Sequence, residues 1–340
     1  MRAVPVIALT GYLGAGKTTV LNHVLRTPGA RIGVVINDFG ELNVDAGLVS
    51  GQIDEPASIA GGCICCLSDD DALDVALAKL ADPKLDLDVI IVEASGLADP
   101  IAISRIIRFS GADNVRWGGV VDVIDAAEHF ATVDRGGVPP GRYAAASLIV
   151  VNKLDRAADA DGVAALDRIE QRIRQGNADA HIVGVVGGRL DPALLFDVPV
   201  RVEASGQLSF QELLQEPGHA HDHDHADSVT RTGTGCVDPN ALFDLLEDPP
   251  SGVYRLKGVV AIRYRSAVRR YVVNLVGASV HVAAAPADAA TIADNHLVAI
   301  GMHLDIDGVR ERLDTALRPA PETTPASGIR RLQRYRRLSV

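Results

Sequence analysis

The segment Gly11-Tyr12-Leu13-Gly14-Ala15-Gly16-Lys17-Thr18 constrains the fold more than any other stretch of this chain. It fits G-x-x-x-x-G-K-[ST], with a β-branched run before it and a helical pattern after it, the context this spacing requires. Glycines let the backbone curl so that successive N–H groups face phosphate oxygens, and the positive end of the following helix adds to them. Gly11, Gly14, Ala15, Gly16, Lys17, Thr18 and Thr19 are therefore the expected phosphate contacts. Lys17 should reach the β- and γ-phosphates, and the Thr18 hydroxyl should ligate Mg²⁺. A loop of this kind joins a buried parallel strand to a helix, which points to an α/β sheet.

The rest of the first two hundred residues agrees. Val/Ile-rich runs at residues 4–9, 32–36, 88–92, 119–123, 148–151 and 181–186 alternate with helical stretches at 18–25, 69–80 and 161–174. Near-continuous apolar runs are what strands buried on both faces require, so the expectation is a doubly wound, mostly parallel sheet. Residues 1–214 form this domain. A polar, histidine-bearing segment at 215–235 reads as a linker. A small α+β domain follows at 236–318, opening with a helix capped by Asp238 with Pro239 in its first turn. Residues 319–340, rich in proline and then arginine, read as a flexible basic tail.

Composition narrows the function classes. With 33 Lys+Arg against 44 Asp+Glu the net charge is −11, which disfavours nucleic acid and anionic lipid as main partners. No apolar run approaches the ~20 residues that span a bilayer, and the start lacks a cleavable leader pattern. Only four cysteines occur, three of them within four positions, which does not suit a disulfide scaffold. The expectation is a reduced, cytoplasmic protein.

Three further elements carry chemistry. Asn152-Lys153-Leu154-Asp155 ends the 148–151 strand. A carboxylate there accepts both the ring N–H and the exocyclic amine of guanine, a donor pair adenine lacks. Asn152 would hold the loop and Lys153 would lie along the base, so the nucleotide is expected to be GTP. Glu93, at the end of the third strand, is placed to hold a Mg²⁺-bound water or the attacking water; Asp122 either rivals it or caps a loop, and Gly96 could offer its N–H to the γ-phosphate. Asn37-Asp38-Phe39-Gly40-Glu41 follows the second strand as a natural switch, where Glu41 either meets a metal or caps a turn.

Gly61-Gly62-Cys63-Ile64-Cys65-Cys66 is the other sharp feature. Cys63, Cys65 and Cys66 on a glycine-led turn can converge on one ion and, deprotonated, make a soft three-sulfur set with an open fourth position. Buried structural cysteines are the bland alternative, and a redox pair would be a strained ring. His219, His221, His223 and His225 alternate with small or acidic residues and either collect metal weakly or form a solvated linker.

Taken together, residues 11–18, 37–41, 63–66, 93–96 and 152–155 resemble the CobW-type GTPases, the metallochaperone branch of the P-loop GTPases that includes hydrogenase- and urease-maturation proteins. Arg255-Leu256-Lys257-Gly258 and Leu297-Val298-Ala299-Ile300-Gly301 resemble the family's C-terminal domain. The resemblance implies GTP hydrolysis coupled to zinc, or sometimes cobalt, held by the three cysteines and passed to a client metalloprotein, and it implies dimerisation. The competing readings are a zinc buffer or sensor and a P-loop kinase.

Overall fold

The computed structural model describes residues 3–28, 30–36, 57–58, 71–96, 98–157, 162–197, 225–264, 267–285, 294–320 and 325–339. The N-terminal part contains β1 (Val4–Gly11), α1 (Lys17–Leu25), β2 (Ile32–Ile36), β3 (Ala57–Ser58), α2 (Asp71–Leu80), β4 (Val89–Glu93) and α3 (Pro100–Arg108). It continues through β5 (Val115–Asp125), the short turns α4 (His129–Thr132) and α5 (Arg142–Ala145), β6 (Leu148–Asn152), α6 (Val163–Arg174) and β7 (His181–Gly184). The strands form one sheet in the order β3-β2-β4-β1-β5-β6-β7. Every pairing in it is parallel. The expected doubly wound architecture is thus present. Ile7, Leu9, Val34, Ile91 and Val123 pack on one face with Val20, Leu21 and Val24 of α1. Val6, Ala8, Val35, Ile90 and Val92 pack on the other with Leu73 and Leu77 of α2 and Ile103 and Ile107 of α3. Period-2 alternation along each strand feeds both cores.

α3, which the sequence reading did not pick out, buries Pro100, Ile103 and Ile107 along one face, and its start is written in the chain. Asp99 caps it by accepting from the Ile101 N–H, with Pro100 in the first turn. The same Asp-Pro start opens α7 (Pro239–Glu247), as expected, where Asp238 accepts from Asn240 N at 2.9 Å.

The C-terminal part contains β8 (Asp227–Thr234), α7, β9 (Val253–Tyr264), β10 (Ala267–Val276), β11 (Ser279–Ala284), β12 (Asp294–Gly301), α8 (Ile306–Ala316) and α9 (Ala326–Leu338). Its antiparallel sheet runs β11-β10-β9-β12-β8. Two sequence expectations fail here. The linker was to reach residue 235, but β8 pairs with β12 along its whole length, from Asp227 opposite Gly301 to Thr234 opposite Asp294. Its polar, threonine-rich alternation suits an edge strand with one wet face, a pattern easily taken for a linker.

The second failure is the tail. Residues 319–320 return to the domain through an Ala320 N–H bond to Cys236 O at 2.6 Å, and α9 packs on α7. Gly328 and Leu332 are buried, and Tyr335 stacks on Phe243 with ring centres 5.0 Å apart. These residues stand at i, i+4 and i+7, an apolar stripe masked in the sequence by the arginines between them. Tyr254, Val276 and Ile300 of this domain enter the core on the α1 side of the first sheet, so the two domains share hydrophobic packing. Among the described residues no helix is long and apolar enough to cross a membrane.

Candidate functional site

The C-terminal ends of β1, β4 and β6 converge. β1 delivers the loop from Gly11 to Gly16, and α1 begins at Lys17. Gly16 has φ 102°, a left-handed conformation that glycine adopts without steric cost. Gly96 sits against the loop so closely that a Cβ there would lie 2.8 Å from the Leu13 Cα and N atoms. Only backbone fits against the loop at Gly96, and a Cβ at Gly16 would collide with the Asn152 side chain.

Lys17 folds back over the loop, its Nζ donating to Gly11 O at 3.1 Å. Thr18 Oγ1 donates to Glu93 Oε1 at 2.9 Å. A hydroxyl and a carboxylate oxygen side by side are the hard oxygen donors that Mg²⁺ takes, so this pair fits the ion expected there. Thr19 is exposed on α1 and packs against Gly188.

β6 braces the loop from beneath. Asn152 is 1% exposed; its Nδ2 donates to Ala15 O at 3.1 Å and its Oδ1 accepts from Gly188 N at 3.0 Å. Asn152 therefore ties the phosphate loop to the turn after β7, the holding role expected of it. Lys153 adopts φ 62°, and its Nζ donates to Gly14 O at 2.6 Å and to Asp125 Oδ2 at 2.7 Å. Its ammonium is thereby fixed on the loop, which leaves the stem to flank a base. Asp155 lies in the 3-10 turn Leu154–Arg156 with its side chain exposed.

Asp122, the rival to Glu93, is committed elsewhere. It is fully buried, accepts from Thr10 Oγ1 at 2.8 Å, and receives Arg142 Nε at 2.9 Å and Nη2 at 2.8 Å. Thr10 directly precedes the loop, so this bidentate pair buttresses the loop's entry. A cavity of about 200 Å³ lies alongside, lined by Leu13, Gly14, His129, Arg142 and Lys153. Burial pushes the His129 pKa down to about 4, so its ring is neutral near pH 7 while its Nε2 pairs with Tyr143 OH at 2.5 Å.

Sequence reading alone missed Gly188, Asp125 and the Thr10–Asp122–Arg142 chain. Gly187-Gly188 after a strand run was a visible signal for the first. The other two are decided by strand neighbours that no local pattern names.

Cys63, Cys65, Cys66, Asn37, Asp38, Glu41, His219, His221 and His223 lie outside the described residues. His225 is exposed, its Nδ1 3.7 Å from Asp191 Oδ2. Among the described residues no group of three His, Cys, Asp or Glu side chains could hold a metal.

A parallel sheet with G-x-x-x-x-G-K-T at the end of its central strand, braced by N-K-x-D from a strand two places away, defines a P-loop nucleotide-binding protein. Residues 5–183 match the CobW/HypB/UreG nucleotide-binding domain, and residues 226–317 match the cobalamin synthesis protein CobW C-terminal domain. The chain belongs to the CobW-type family of P-loop GTPases. It is 33% identical over 293 residues to a zinc chaperone CobW of a Sinorhizobium species, covering 76% of this chain and 78% of that relative. It is 31% identical over 203 residues to the zinc chaperone YjiA of Escherichia coli K12, covering 58% of this chain and 62% of YjiA. The zinc-regulated GTPase metalloprotein activator 1 of Dictyostelium discoideum is 36% identical over 119 residues, which is 31% of this chain and 25% of that protein.

Proposed function

We propose that this chain is a GTP-hydrolysing zinc chaperone in which Cys63, Cys65 and Cys66 hold the ion, nucleotide state sets their affinity, and the ion passes to a client metalloprotein. One juxtaposition supports the reading above all. Ile36 and Ser58 are paired in register on β2 and β3, and Ile36 is paired with Glu93 on β4. The chain therefore leaves for the Asn37–Glu41 switch from beside the carboxylate that bonds Thr18. Cys63 follows Ser58 by five residues, which no extended chain can stretch beyond roughly 18 Å. Short stretches of chain thus join switch and thiols to strand ends on the side of the sheet that carries Glu93, which supports a reading in which one ligand biases the other.

In this reading the loop amides bind the phosphates and Lys17 moves from Gly11 O to the β- and γ-phosphate oxygens. Thr18 and Glu93 would hold Mg²⁺, which would neutralise charge developing on the phosphates. Gly96 offers its N–H to the γ-phosphate. Asp155 receives both guanine donors, and Asn152 keeps the loop in place. The names of the relatives support zinc as the cargo. Thiolates favour that soft-to-borderline ion, with the histidines of the 219–225 segment and Glu41 as auxiliary donors. The soluble client and a nucleotide-dependent dimer belong to the same proposal, as does a cytoplasmic location.

The test is zinc affinity, measured by chelator competition with a GTP analogue and with GDP, in the native chain and in Cys65→Ala. Affinity should differ by about tenfold or more between nucleotides, in line with ordinary coupling energies, and should collapse in Cys65→Ala. Equal affinity in both nucleotide states defeats the gating, and an unchanged affinity in Cys65→Ala defeats the site.

Base selection has a separate check. Asp155→Asn replaces one acceptor by an amide donor, so GTP affinity should fall by about a hundredfold, the loss of a bidentate hydrogen bond to a charged group. Xanthosine triphosphate, which offers a carbonyl where guanine has its amine, should gain. Titration with both nucleotides reads this out; unchanged GTP binding would remove Asp155 from the base site.

A further inference from the structure

We propose that the outward face of α9 is a docking surface for an acidic polypeptide segment of a partner protein. The inward side of α9 already accounts for its folding. Gly328 and Leu332 are buried, Tyr335 stacks on Phe243, and Arg331 bridges Asp244 at 2.6 Å and Glu247 at 2.9 Å. Arg336 places its guanidinium carbon 5.7 Å from the centre of the Tyr271 ring. The outward side is different. Arg330, Arg334 and Arg337 are exposed and stand at i, i+4 and i+7, so they share one stripe. None of the three makes a salt bridge among the described residues, and α9 contains no acidic residue at all.

Three like charges on one helical stripe repel one another and weaken the helix. Arg334 recovers part of that cost by lying over the Tyr335 ring, 5.7 Å from its centre, and by facing the charge of Glu247; among the described residues Arg330 and Arg337 meet no acidic partner. All three side chains nevertheless remain exposed, so the stripe as a whole presents positive charge outward, with Arg330 and Arg337 at its ends open to a ligand. Their spacing follows from a rise of about 1.5 Å per residue, so the stripe spans about 10 Å with steps near 6 and 4.5 Å. Carboxylates at i, i+4 and i+7 of a partner helix, or at alternate positions of an extended strand, come at closely similar intervals. Bidentate pairing to carboxylate is what the planar guanidinium does best.

The surroundings select the width of the ligand. Asp244 and Glu247 of α7 flank α9, Asp248 follows them at the end of α7, and the chain as a whole carries −11. A duplex or an anionic bilayer presents a broad sheet of negative charge that would meet these carboxylates as well as the arginines. A narrow acidic segment touches the stripe alone. The surface is independent of the nucleotide and zinc sites, so it stands or falls separately from them.

The experiment is fluorescence anisotropy of a labelled oligo-glutamate peptide against the full chain at low ionic strength. The comparison is with the triple variant Arg330→Gln, Arg334→Gln, Arg337→Gln, and with the matching triple lysine variant. The native chain should bind and lose affinity as salt rises. The glutamine variant should bind about tenfold more weakly, while the lysine variant retains most of the binding because it keeps the charge. GTP hydrolysis should be unchanged in both variants, which shows that they are folded. Equal peptide binding by the native chain and the glutamine variant overturns the proposal. So does a native chain that ignores the peptide, including one that instead holds a duplex oligonucleotide or phosphatidylserine vesicles.

Discussion

Lys17→Ala is expected to lower kcat/KM for GTP hydrolysis by about a thousandfold, the scale set by removing one preorganised donor from a developing oxyanion. The structure gives reasons to expect the upper end. Lys153, the nearest other ammonium on the loop, is held by Gly14 O and by Asp125 at 2.7 Å, and cannot move without releasing both. The Arg142 guanidinium, which lines the neighbouring cavity, is locked in a bidentate pair with Asp122. Neither is available to replace the lost charge. The fold should hardly notice, because Lys17 is only partly buried and packs no core cluster. Steady-state phosphate release together with thermal unfolding tests both halves. Turnover within about tenfold of the native rate would show that the loop lysine does not stabilise the transferred phosphoryl group.

Asp122→Ala should cost about 3–5 kcal/mol of folding stability, the range for breaking a buried ion pair by removing one partner. Asp122 is 0% exposed, and the Arg142 side chain is 13% exposed, so the stranded guanidinium has little access to water. The Asp122 carboxylate holds Arg142 more firmly protonated than a free arginine, despite the opposing effect of burial. Thr10 Oγ1 loses an acceptor at the same time and keeps only a long 3.4 Å contact to Val121 O. Nucleotide affinity should fall too, because Thr10 sets the strand end from which the loop departs. Chemical denaturation of the single variant and of Asp122→Ala with Arg142→Met tests the pair directly. Removing both charges should be milder than removing one, since no buried charge is then uncompensated. A single variant within about 1 kcal/mol of native would show that the pair contributes little, as exposed pairs do.

The legible and illegible parts of this chain divide along one physical line. The phosphate-loop motif, the Asn152–Asp155 and Cys63–Cys66 motifs and the Asp-Pro helix starts are patterns confined to a few consecutive residues. Their spacing alone is enough to raise the chemistry each suggests. The buried strands were legible too, since being covered on both faces forces Val and Ile into unbroken runs. β8 and α9 were not. β8 shows polar alternation that suits both an edge strand and a linker, and only the β12 partner decides between them. α9 hides its packing stripe among five arginines, and it takes Phe243, Asp244 and Glu247 of α7 to give Tyr335 and Arg331 something to meet.

The same division runs through the site. By itself the sequence located a phosphate-loop motif at Gly11–Thr18, a buried parallel sheet around it, and a resemblance to the family to which the chain belongs. Tertiary structure alone decided that Asp122 serves Arg142 and not the nucleotide, that Lys153 is fastened to Gly14, and that Asn152 reaches a carbonyl 137 residues away. A carboxylate's role depends on which charge lies within a few ångströms of it. In a parallel sheet those neighbours arrive from strands far apart in the chain.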